Sequence, residues 1–209
     1  MSSNAPYSRK EEQLNVISHA IGVLFAFWVM WDLFNQSSST KAYISATVYS
    51  ASIFILFLSS TLYHASVQPR LRAFYKKCDH CAIYILIAGT YTPFLHLSLT
   101  GVWSWATLTF IWSVALAGVA YKVLVHNGNK KVSLATYLLM GWFALAIIYP
   151  LYLVINVNAL YWLLAGGIFY SLGTVFYSAK NTQFSHAIWH LFVIAGCVCH
   201  YVGISRYVY

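Results

Sequence analysis

Apolar positions gather in seven long runs, at 14–34, 43–63, 81–99, 103–124, 133–155, 159–179 and 185–205. Each is about 20 residues, the length an α-helix needs to cross a hydrocarbon layer roughly 30 Å thick. The stretches between them, at 35–42, 65–78, 100–102, 126–132, 156–158 and 181–184, are too short for a soluble domain. The pattern predicts an all-α integral membrane protein of seven transmembrane helices. A short tail spans 1–13, one membrane domain 14–205 and a C-terminal end 206–209. The first run is full length and has no small-residue cleavage site, so it reads as a retained span. Pro93 and Pro150 fall inside the third and fifth runs, where each removes a backbone donor and is expected to kink its helix.

Composition agrees with this pattern. The chain is 60% hydrophobic and 8% charged, against about 25% charged for a soluble domain. The formal net charge is +8, and topology accounts for it. With the N-terminus in the cytoplasm, ten basic residues lie inside: Arg9, Lys10, Arg70, Arg72, Lys76, Lys77, Lys122, Lys130, Lys131 and Lys180. Only Lys41 and Arg206 lie outside. That bias orients the chain with its C-terminus outside. No basic domain stands clear of the membrane, so a nucleic-acid partner is not expected. The basic stretch 70–77 suits contact with anionic headgroups. Cys78, Cys81, Cys197 and Cys199 lack the spacing of a zinc ribbon and read as packing residues.

Ionisable residues inside spans are the natural place to look for function. Under this topology Glu12, Asn15 and His19 (first span), Ser60 and His64 (second), Asp79 and His80 (third) and His186 and His190 (seventh) meet at the cytoplasmic level. The opposite level holds Asp32, Lys41 and His96, which read as ordinary interfacial residues. His126 falls in a cytoplasmic loop. His200 lies 14 residues beyond His186, about 21 Å by helical rise, and is expected to be a hydrogen-bonded interior residue.

His186 and His190 are four residues apart and share a helix face. Neutral imidazole is a common zinc ligand, and three protein ligands with an open position define a catalytic zinc site. His64 is the best third ligand, with Ser60 one turn before it. Asp79 is the one acid at that level outside the tail. It is expected to act as the base, because Ala187 and Ile188 leave none between the two histidines. Glu12, Asn15 and His19 cap the first span or support the ligands from behind.

The stretches "EEQLNVISH" (11–19), "SSTLYH" (59–64), "DHCAIYILIAGTYTPF" (79–94), "YLLMGW" (137–142) and "HAIWH" (186–190) resemble the haemolysin III branch of the progestin and adipoQ receptor family, which includes the adiponectin receptors. The resemblance covers the chain from 11 to 205. It implies seven transmembrane helices with the N-terminus inside, and zinc held by His64, His186 and His190. The family's serine falls on Ser60 and its acid on Asp79. The short tail differs from the long one of the animal receptors and argues against hormone reception by that route. The wider superfamily includes alkaline ceramidases, which look like zinc hydrolases of lipid amides. The expectation is a zinc-dependent hydrolase of a lipid amide or ester in the bacterial inner membrane, acting on membrane composition or fluidity. Its partner would be a membrane lipid or acyl-chain ligand; no oligomeric state is assigned. The rivals are a non-enzymatic sensor with structural zinc, a haemolysin-like membrane-active protein and, more weakly, a proton or ion pathway.

Overall fold

The structure is a computed structural model and describes residues 7–125, 129–179 and 182–209, with Lys130 described by its backbone alone. His126 and Lys180 therefore lie outside the described residues. The described residues are helical, with no strand among them. The elements are α1 (Arg9–Gln36), α2 (Thr40–Ala65), α3 (Pro69–Ser98), α4 (Gly101–Leu124), α5 (Lys130–Gly141), a 3-10 turn (Trp142–Leu145), α6 (Ile148–Tyr152), α7 (Val157–Ser178) and α8 (Ser185–Tyr207).

Local chemistry sets several of the starts. Ser8 accepts from the Glu11 amide at 3.3 Å, Ser39 from the Ala42 amide at 3.2 Å and Asn156 from the Asn158 amide at 2.9 Å. Each satisfies a donor that the helix leaves free. Pro69 opens α3 at its first position, where the missing N–H costs nothing. Helix α3 therefore begins well before the third apolar run and carries Asp79 in its interior. The chain enters α8 through Phe184, whose φ of 62° is left-handed. Such a backbone is uncommon for a bulky residue, and it turns the chain directly into the helix that carries His186.

Six of the helices are long and apolar enough to cross a membrane: α1, α2, α3, α4, α7 and α8. Helix α1 shows the membrane pattern most directly. Its buried positions are Glu11, Asn15, His19, Gly22, Ala26, Val29 and Leu33. Leu14, Ile17, Ile21, Leu24, Trp28 and Trp31 are exposed on the other side. An apolar stripe facing outward and a partly polar one facing inward reverse the arrangement of a soluble helix.

The fifth run is not one helix. It breaks into α5, the 3-10 turn and α6. Pro150 sits at the third position of α6 and cannot donate to the carbonyl of Ala146, which its ring would crowd. The earlier break, between α5 and the 3-10 turn, is bridged from α3. The Tyr91 hydroxyl donates to the Gly141 carbonyl at 2.7 Å and accepts from the Ala144 amide at 2.7 Å. Helix α3 itself continues past Pro93.

Helices α2 and α3 form the most extensive pair, followed by α7 with α8 and α1 with α2; α1 also packs on α8. Gly22 lets α1 approach α2, since a Cβ there would overlap the Phe57 ring. At the end of the bundle where α1 finishes, Asp32 binds α1 to α8. Its Oδ2 accepts from Tyr201 at 2.7 Å, Ser205 at 2.8 Å and Gln36 at 2.7 Å. Asp32 was expected to be an ordinary interfacial residue; instead it is a helix-to-helix tie. His96 is likewise engaged, 3.0 Å from the Ser45 hydroxyl. His200 is interior as expected, donating from Nε2 to the Leu163 carbonyl at 3.1 Å. Gly166 leaves room for its ring. The four cysteines are free thiols, with Cys197 and Cys199 buried.

Candidate metal centre

At the opposite end of the bundle α2 and α8 bring three histidines together. One ligating nitrogen from each of His64, His186 and His190 lies within 4.8 Å of the others. Nε2 of His64 is 3.2 Å from Nε2 of His186. His64 and His190 are buried and His186 is half-buried. His186 and His190 reach the same place because they sit one turn apart on α8. His64 comes from the last turn of α2.

Helix α1 supplies no member of the trio but determines how two of them point. Nδ1 of His64 lies 2.7 Å from Glu12 Oε2 and 3.4 Å from Asn15 Nδ2. A carboxylate only accepts, so Nδ1 carries the proton and Nε2 of His64 presents a lone pair. The Ser18 hydroxyl donates to the Asn15 carbonyl at 3.0 Å and lies 3.1 Å from Nδ1 of His190. With its proton already used, Ser18 accepts from His190, which leaves Nε2 of His190 as a second lone pair. Two inward lone pairs and a third imidazole nitrogen at 3.2 Å suit a shared cation, and an all-imidazole set suits zinc.

The other oxygen of Glu12 pairs with Arg72 of α3. Arg72 also donates to the carbonyls of Tyr63 and Ser66 at 3.4 Å and 3.3 Å. Glu12 therefore ties α1, the end of α2 and the first turn of α3 to one ligand. Tyr7, just before α1, stacks on His186 with ring centroids 4.9 Å apart. Burial pushes its phenol above its ordinary pKa, so it stays protonated.

His19 stacks on His190 with centroids 3.6 Å apart and planes 14° from parallel. It does not belong to the close nitrogen trio. Both of its ring nitrogens are buried with no hydrogen-bond partner among the described residues, while the Ser60 hydroxyl stands beside the Asp79 carboxylate. Buried polar groups are nearly always satisfied, so the His19 nitrogens mark a place for an occupant.

The site opens into a cavity of about 480 Å³. Ser60, Asp79, His19, His186 and His190 all line it, so the structure gathers the proposed acid and serine with the histidines. Glu12 and Asn15 are not on its wall and stand behind His64. Ser18 and Arg72 were not foreseen. Ser18 sits between the flagged Asn15 and His19, and serine is too common in spans to single out. Arg72 read as a headgroup contact, because its partner lies 60 positions away.

Comparison with known proteins follows the same residues. A family model described as haemolysin-III related matches residues 7–201. The chain is 40% identical over 202 residues to Hemolysin-3 of Bacillus cereus, covering 92% of each chain. It is 38% identical to the Hemolysin-3 homolog of Bacillus subtilis, covering 96% of each. It is 33% identical to the human monocyte to macrophage differentiation factor, over 95% of this chain and 85% of that one. A match over almost the whole chain, with the histidine trio inside the matched residues, makes this protein a member of the haemolysin III-related family of membrane proteins.

Proposed function

We propose that the chain holds one zinc ion at His64, His186 and His190 and hydrolyses an amide or ester of an acyl lipid, thereby acting on membrane composition. The observation that carries this reading is the pairing of lone-pair histidines with an acid-lined cavity. Glu12 and Ser18 turn Nε2 of His64 and His190 inward, beside a chamber walled by Asp79 and Ser60. Zinc there would supply Lewis acidity towards a carbonyl and towards water.

The chain's own residues do the rest. The Asp79 carboxylate takes the proton of the attacking water and passes it to the leaving group. The Ser60 hydroxyl, beside the Asp79 carboxylate, donates to the carbonyl oxygen as charge develops there. Leu56, Leu86, Ile87 and Val193 line the cavity, exclude water and take the acyl chain.

The chain crosses the membrane seven times in this reading. The fifth crossing is made by α5, the 3-10 turn and α6 together, with the Tyr91 hydroxyl satisfying backbone groups at the break. The N-terminus and the metal centre face the cytoplasm, as the excess of inside Lys and Arg favours. The membrane is a bacterial cytoplasmic one, by analogy with the Bacillus relatives.

The test is purified protein in nanodiscs. Metal analysis should return about one zinc per chain, as a single three-histidine site requires, and the His186→Ala, His190→Ala double variant should lose it. A panel of acyl amides and esters should be cleaved. Asp79→Asn should keep zinc and lose turnover by about 10²–10⁴-fold. Cleavage that survives both Asp79→Asn and zinc removal would overturn the hydrolase. Full zinc with no turnover on any acyl probe would leave a sensor with structural zinc.

A further inference from the structure

The cavity is graded along its length. From one end to the other it is lined by Lys76, Asp79, Ile83 and Ile87 on α3. Lys131, Leu134, Leu138 and then Trp142 line it from α5 and the turn that follows. Ser178, Thr174, Ser171 and Gly167 do so on α7. Each series spans eleven residue steps, roughly 16 Å of helical rise. On α3 and α5 the charged members stand at one end, while the α7 series stays polar as far as Ser171.

Two ammonium groups, Lys76 and Lys131, stand at that end, and among the described residues Asp79 is the only carboxylate on the wall. Lys131 lies in the first turn of α5, whose cap is Asn129. The positive end of that helix dipole therefore adds to the lysine charges. Lys76 lies 5.8 Å from the Tyr63 ring centroid, which keeps its ammonium on the cavity side of α2. Asp79 follows Lys76 by three residues, less than one turn further in. Beyond Asp79 the wall is uncharged but for the imidazoles, and it ends on Ile87, Trp142 and Gly167.

We propose that the cavity selects an acyl amphiphile with an anionic head, of which an N-acyl amino acid is the simplest form. The head carboxylate lies between Lys76 and Lys131. The amide lies at the level of Asp79 and the histidines, and the chain runs along Leu86, Ile87, Leu138 and Trp142. In such a molecule a single carbon separates the carboxylate from the amide nitrogen, so both fit the end of the cavity lined by Lys76, Asp79 and Lys131. A cationic head meets two like charges at the mouth, and a neutral head gains nothing from them. The cleavage, which rests on the hydrolase reading, balances simply. Water adds its oxygen to the acyl carbon, the C–N bond breaks, and both water protons end on the leaving nitrogen. The products at neutral pH are a fatty carboxylate and a zwitterionic amino acid.

The experiment measures binding separately from cleavage, with full-length protein in nanodiscs of neutral lipid. The probes are N-lauroylglycine, its methyl ester, N-lauroylethanolamine and lauroyl lysophosphatidate. N-lauroylglycine should bind about tenfold more tightly than either neutral probe, the order of effect expected of charge-assisted hydrogen bonds. Lys76→Gln and Lys131→Gln should each reduce that preference and together abolish it, while neutral probes are unaffected. Lys131→Arg should retain it. The lysophosphatidate arm tells a phosphate head from a carboxylate, since the tighter of the two anions names the head. Equal affinity of charged and neutral probes in the wild type, or a preference that survives the double Gln variant, overturns the proposal. Charge-selective binding without cleavage removes the hydrolase and leaves the head-group assignment. Equal binding with zinc-dependent cleavage does the reverse.

Discussion

Glu12 and His64 are joined across α1 and α2 by a 2.7 Å contact, and the same carboxylate reaches Arg72 with its second oxygen. A carboxylate behind a ligating imidazole fixes the tautomer and raises the ligand's basicity. Glu12→Gln can keep the hydrogen bond but loses the charge. It should weaken zinc binding by about 10–100-fold, read by competition with a chromogenic chelator. Arg72→Gln should do less, because it leaves Glu12 in contact with His64. Unchanged affinity in Glu12→Gln would show that the carboxylate serves folding alone.

Ser18 offers a narrower test. It accepts from Nδ1 of His190 at 3.1 Å, so Ser18→Ala frees that ring to turn. Zinc affinity should fall by about tenfold, the low end of the range for a residue supporting a ligand. Ser18→Thr keeps the hydroxyl and should restore most of the affinity. Restoration by Thr separates an orienting hydrogen bond from simple packing.

Metal removal should register as stability. An ion bound only by the folded state stabilises it by about 2.7 kcal/mol at a hundredfold excess over its dissociation constant. Chelator should therefore lower the unfolding temperature of the wild type, and readded zinc should restore it. His64→Ala, His186→Ala and His190→Ala should each make the melting curve indifferent to chelator. His200→Ala should stay responsive, because His200 is engaged with the Leu163 carbonyl and is no member of the trio.

Six of the seven runs were legible as long apolar helices because apolar length alone identifies a candidate span, and the histidine cluster was legible because residues four apart must share a helix face. Topology then placed four helix ends at one level, which put Ser60, His64 and Asp79 beside His186 and His190. Three features were hidden because they depend on partners far along the chain. Pro150 announced a disturbance in the fifth run, but the earlier break is bridged by the Tyr91 hydroxyl on α3. Asp32 looked interfacial because its partners Tyr201 and Ser205 lie 169 and 173 positions away. Arg72 looked like a lipid contact for the same reason.

Tyr91→Phe tests the repaired break. It keeps the ring and strips two backbone groups of their partner, at about 1–3 kcal/mol for each buried group left unsatisfied. Thermal unfolding should drop by several degrees while zinc content holds. A variant as stable as the wild type would mean that Gly141 and Ala144 find other partners.

The seven-crossing topology is tested by reporters. One fused after Tyr209 should report from outside, and one inserted within residues 70–77 from inside. Both on one side would remove the fifth crossing through the broken segment.

His64 and His186 stand 122 positions apart in the chain, and Ser18 and His190 172 apart. The helix that orients two of the histidines thus precedes the other described helices in the chain, and the helix that supplies two of the three follows them. A chain cut short before α8 owns one histidine of the three and can grip no ion. Zinc uptake, in the proposed reading, would therefore report that α1, α2 and α8 have come together.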